Sequence, residues 1–198
     1  MTVNIAQPIP SKNGKTALVC LDHAPWIQTF SAGKSTPFRP NSFDEGENAT
    51  RVTLSINAEG DIVSWAQRAD EAILEVICAK PLYFLGKEMS EEQVRAAYCP
   101  IFRTHEKYAA SCKVKVNRQG LRATRFWTPE GLRTTEPEDW TIITFQPRLW
   151  LKSMWITPGA RQFGCSIELV DAQVTHVDQT CPFESTDQFE CHPFGKNL

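Results

Sequence analysis

Two lysines in an alternating segment are the first residues of this chain that could act on a ligand. In Ser111–Asn117, Lys113 and Lys115 interleave with Cys112, Val114 and Val116. A strand there would carry both ammonium groups on one face and the apolar side chains on the other. In Leu149–Ile156 the same period puts Trp150 and Lys152 on one face and Leu149, Leu151 and Trp155 on the other, which assigns Trp155 to the core. Arg148 and Arg161 stand near the ends of that arm, and Arg118, Arg122 and Arg125 gather beside Phe126-Trp127 as a second basic and aromatic group. Cations neutralise phosphates and exposed rings stack on bases, so such a set is suited to a single-stranded nucleic acid. For each aromatic the alternative is a core residue, and for each lysine a solvated outer face. Spacing alone does not say whether the two groups meet.

Enzymatic and metal chemistry find less support. Among the histidines His23 has a carboxylate beside it, Asp22, and no G-x-S-x-G or P-loop string occurs. No cofactor motif is present. His176, Cys181, Cys191 and His192 are the right ligand types for zinc, but there is no tight C-x₂₋₄-C pair, so the predicted site set contains no metal and no catalytic residue.

The chain has 198 residues, is 41% hydrophobic and carries a formal net charge of −2. It is long enough for a core, which excludes general disorder. The charge is segregated: residues 1–79 hold 6 basic and 9 acidic side chains, residues 80–161 hold 14 and 8, and residues 162–198 hold 1 and 6. A basic middle followed by an acidic end suits a polyanion-binding surface, the alternative being incidental clustering. No apolar stretch reaches membrane-spanning length and the N-terminus lacks signal-peptide character, which excludes a membrane partner and predicts an intracellular, non-secreted protein. Seven cysteines, mostly within apolar runs, agree with reduced thiols.

These residues need strands to present them. Thr16–Leu21 and the alternating Val52, Leu54 and Ile56 predict two strands around a loop at 31–50. From Asp61, a candidate N-cap, the period turns helical. Ile62, Trp65, Ala69, Ile73 and Val76 mark the core face, with Arg68, Asp70 and Glu75 away from it. Ser90-Glu91-Glu92-Gln93 is a capping box for a second helix that ends by Pro100. Strands follow at 111–117, 122–127, 140–145 and 149–156, with a final arm at 163–177. The expected fold is mainly β with two helices (α+β), a β-barrel with a helical insertion at about 60–100.

Phe84-Leu85-Gly86-Lys87, Ser90-Glu91-Glu92-Gln93, Tyr98-Cys99-Pro100 and Lys107-Tyr108 before Lys113-Val114-Lys115-Val116 form a further pattern, continued by Arg148-Leu149-Trp150-Leu151 and Phe163-Gly164-Cys165-Ser166-Ile167. Over roughly residues 80–178 it resembles the single-stranded DNA-binding proteins of large nucleocytoplasmic DNA viruses of algae and protists. Phe84-Leu85 replaces that family's W-F pair, and Ala109-Ala110 its two prolines. The resemblance implies an OB-fold of the phage replication single-strand-binding type, acting without catalysis. It also implies a place at a viral replication site in the host nucleus or cytoplasm. Its matching positions are Lys87, Lys113, Lys115 and Trp150, whereas Arg118, Arg122, Arg125 and Trp127 rest on pattern alone.

The expected function is sequence-tolerant binding and protection of single-stranded DNA during replication, recombination or repair. The alternatives are a β-rich virion structural or protein-interaction module, then a zinc-dependent protein. The expected organisation is one OB-like domain over 1–178 and an acidic, aromatic tail over 179–198. That tail is similar to those through which single-strand-binding proteins recruit replication proteins, the alternative being an ordered extension over a barrel edge. Self-association as a homo-oligomer stays open.

Overall fold

The computed structural model describes residues 2–41, 49–104 and 109–176. Lys107 and Tyr108 of the resemblance, Cys181, Cys191 and His192 of the zinc reading, and the whole tail lie outside the described residues.

In chain order the elements begin with β1 (Val3–Ile5), β2 (Ile9–Ser11), β3 (Gly14–Leu21), β4 (Ala24–Thr29) and β5 (Arg51–Asn57). The helices α1 (Asp61–Ala79), α2 (Pro81–Leu85) and α3 (Glu91–Ala97) follow. Then come β6 (Tyr98–Cys99), β7 (Phe102–Arg103), β8 (Ser111–Asn117), β9 (Arg125–Trp127), β10 (Arg133–Thr134), β11 (Ile143–Ile156) and β12 (Phe163–His176). The fold is mainly β with three helices, its sheet curled into an open half-barrel consistent with an OB-like α+β fold. The third helix is α2, a single turn started by Pro81 and closed by Gly86 at φ 79°, too short to announce itself by periodicity.

The main path of the sheet runs β1-β3-β4-β11-β12-β8-β5. Its spine is the hairpin of β11 and β12, 14 residues each. The expected separate strands at 140–145 and 149–156 are one strand, entered through a 3₁₀ turn at Trp140–Ile142. Leu54, Ile56, Val114, Val116, Leu149, Leu151 and Leu169 point to one side and are buried with Ile62, Ala66, Ile73 and Ile77 of α1. Trp65 lies in this core, edge-on to Phe30 at 5.3 Å and to Trp26 at 6.4 Å. No described helix is long and apolar enough to cross a membrane.

Two expectations about α1 are corrected. Gly60 occupies the N-cap position, and Asp61 is the first helical residue. The Asp61 carboxylate accepts from Ser31 N and the Lys34 ammonium, each at 2.6 Å. Burial opposes its charge, but these bonds outweigh burial and lower its pKa to about 2. Asp70 is not on the solvent face. It is 9% exposed and takes hydrogen bonds from the Tyr98 hydroxyl at 2.6 Å and from Ile101 N at 3.3 Å. A helical period counts it with Ala66, Ile73 and Ile77, and the β6 segment supplies the donors that let a carboxylate stay there.

Candidate nucleic-acid interface

The sheet face opposite the core is polar, and strand register arranges it in rows. Thr53 of β5 lies opposite Lys115 of β8, Lys115 opposite Glu168 of β12, Glu168 opposite Trp150 of β11, and Trp150 opposite Ile27 of β4. The next row is Thr29, Arg148, Asp171 and Arg125. A third is Gln146, Gln173, Trp127 and Arg133. Trp150 and Arg148 of one basic and aromatic group therefore share a continuous face with Arg125 and Trp127 of the other, whereas Phe126 points into the core.

Two bulges set that register. On β12 an extra residue, Val170, falls between the pairs Arg148–Asp171 and Leu149–Leu169. On β11 the extra residue is Lys152, between Leu151–Ile167 and Ser153–Ser166. A bulge shifts the alternation by one residue, so Met154 and Ile156 turn into the core and Trp155 turns out. Trp155 is half-buried on the same face as Trp150, which corrects its assignment to the core.

Charges on this face are paired unevenly. Glu168, 2% exposed, is held by Arg51 and, at 2.8 Å, by Lys152. Asp171 binds Arg125 at 2.7 Å, Arg148 at 3.4 Å and the Trp127 indole N–H at 2.9 Å. Burial works against the Asp171 charge, but the Arg125 and Trp127 bonds outweigh it and keep its pKa below the usual carboxylate range. Lys113 is exposed. Lys115 is half-buried and donates to Ser166 Oγ at 2.9 Å; burial, then the nearby Arg51 charge, lowers its pKa. Lys115 thus has no carboxylate bonded to it among the described residues.

The rings are already in contact with cations. Arg122 lies 5.5 Å and Lys152 5.3 Å from the centre of the Trp150 ring, and Arg133 lies 5.2 Å from that of Trp127. Arg122 reaches Trp150 because β9 begins only at Arg125, leaving residues 118–124 as a loop in place of the expected strand start. The Trp150 indole N–H is buried without a partner.

No family model, curated protein or solved structure matches the chain.

The other sequence-predicted residues lie apart from the rows or are engaged elsewhere. Arg118 makes a two-point ion pair with Glu136, at 2.8 and 2.9 Å. Arg161 is exposed on the hairpin turn beyond the Trp155 end of the face. Lys87 is exposed in the turn after α2. Sequence reasoning missed Arg51, Arg103 and Arg133, as well as the buried Glu168 and Asp171. Arg51 had a usable signal, since it begins the alternation Arg51-Val52-Thr53-Leu54 and so shares a face with Thr53. Arg103 and Arg133 sit on two-residue strands, where no period can form. Among the described residues no three His, Cys, Asp or Glu side chains cluster as a metal site.

Proposed function

We propose that the protein binds single-stranded DNA along the polar face of its sheet, with little sequence preference and no catalytic step, during replication, recombination or repair. One observation carries this reading: Trp150, Trp155 and Trp127 share a sheet face with Arg51, Arg103, Lys113, Lys115, Arg122, Arg125, Arg133, Arg148 and Lys152. Within the rows, two carboxylates, Glu168 and Asp171, oppose them. Fixed cations spaced along strands can follow a phosphate backbone, and the rings accept any base because every base has a π-face. Binding would exchange ring–cation contacts for ring–base contacts while Arg122 and Lys152 move to phosphates. The family resemblance noted in the sequence agrees with this reading.

A second reading, a protein-interaction module with an incidental basic face, is favoured by the ion pairs that already engage Arg118, Arg125 and Arg148. Fluorescence anisotropy of labelled oligo(dT), duplex DNA and RNA at two salt concentrations separates them. The DNA reading expects saturable binding to oligo(dT), tighter than to duplex and weakened by salt. The absence of oligo(dT) binding at low salt would refute it.

A further inference from the structure

Beside Trp155 the face opens into a cavity of about 200 Å³, lined among others by Arg103, Lys113, Lys115, Ser111 and Ser166. The cations come from adjacent strands, Arg103 lying opposite Ser111 on β7 and β8. Among the described residues that line it there is no carboxylate. The cavity is therefore a positive hole with hydroxyl groups at its wall. Lys115 is half-buried there, its charge opposed by burial, Arg51 and Lys152 and supported by Glu168, and its ammonium bonds the Ser166 hydroxyl rather than a carboxylate among the described residues.

The Trp155 ring is a fixed wall of this cavity. Its indole N–H donates to Cys165 O at 3.3 Å, and its ring edge rests on Gly164, where a Cβ would stand 2.9 Å from Cζ2. Glycine at 164 thus leaves the ring edge the space to sit against β12, and the hydrogen bond holds it there. A preorganised ring loses little conformational freedom when a second ring stacks on it. The volume is below the roughly 300–1,000 Å³ of sites for drug-sized ligands, so it excludes a run of bases.

We propose that this cavity holds a single nucleotide unit of the bound strand, its base against Trp155 and its phosphate between Lys113, Lys115 and Arg103. The inference rests on the single-strand reading above and adds to it a discrete site that a mononucleotide can fill alone. The probe is thymidine monophosphate, with thymidine and inorganic phosphate as partial ligands. The readout is the Trp155 indole N–H resonance of the full chain, identified by its loss in Trp155→Phe. The expected result is saturable movement of that resonance with thymidine monophosphate, at least tenfold weaker in Lys113→Ala and at least tenfold weaker with either partial ligand.

An unmoved Trp155 resonance, with oligo(dT) still binding, overturns the pocket and leaves the strand reading standing. Inorganic phosphate binding as well as the nucleotide also overturns it, because the ring would then contribute nothing. Loss of binding to both nucleotide and oligo(dT) overturns both. Lys113 is exposed, so its replacement leaves the core untouched, and the dispersion of the other indole resonances verifies the fold.

Discussion

Replacing Lys113 and Lys115 together with alanine tests whether β8 carries the strand. The face holds nine cations, Arg51, Arg103, Lys113, Lys115, Arg122, Arg125, Arg133, Arg148 and Lys152, against the carboxylates of Glu168 and Asp171. If each carboxylate cancels one cation, about seven phosphates can be neutralised. Single strands give a log–log salt slope of about −0.7 per phosphate, which predicts about −5 for the native chain and about −3.5 for the double variant. Raising salt from about 50 to 200 mM would then weaken the native protein by roughly 10³ and the variant by roughly 10². Anisotropy titrations of oligo(dT) at four or more salt concentrations measure both slopes. Lys113 projects to solvent and, among the described residues, Lys115 bonds only the Ser166 hydroxyl, so the variant keeps its buried strand face, Cys112, Val114 and Val116. A folded double variant with the native slope would refute the placement of the strand on β8.

Trp150→Ala should weaken oligo(dT) binding by about 1–3 kcal/mol, the worth of one stacked base, with little change in melting temperature. Trp155→Ala should cost clearly less stability than the about 3–5 kcal/mol of a core tryptophan, as urea unfolding would show. Gly164→Ala should destabilise by about 1–3 kcal/mol in the same assay, since its Cβ would stand 2.8 Å from Cys99 O and 2.9 Å from the Trp155 ring. Burial raises the Asp70 pKa from 3.8 to about 6, so the folded state keeps a proton that the unfolded chain releases. Stability is therefore greatest at the acid end of this window and falls as pH rises through about 6. The full difference is about 3 kcal/mol, and unfolding at pH 4.5 and 7 should show a drop that Asp70→Asn removes.

Much of this architecture was legible locally. The Ser90–Gln93 capping box forms as read, with Ser90 Oγ accepting from Gln93 N and Gln93 Oε1 from Ser90 N. Alternation at 111–117 placed Cys112, Val114 and Val116 inside and both lysines outside, because each position there faces a regular ladder with β5. The helical face of α1 was legible for its apolar members. Asp70 was misplaced because polarity was taken as exposure, and its partners, Tyr98 and Ile101, lie 28 and 31 residues away.

By itself the sequence determined a mainly β chain with helices near its middle, a basic central region, and two strands, one with Lys113 and Lys115 on a common face and the other with Trp150 and Lys152 on a common face. Tertiary structure alone decided which of those faces adjoin. Trp127 meets the row of Gln146, and Arg125 meets Arg148 across Asp171, only because β12 leaves β8 at the Val170 bulge and continues beside β9. Trp155 changed sides for the same kind of reason: Lys152 has no opposite number on β12, so the period of two is interrupted between Leu151 and Ser153. Side-chain alternation belongs to one strand and is written locally. A bulge is a mismatch in length between two strands, and it exists only once they pair.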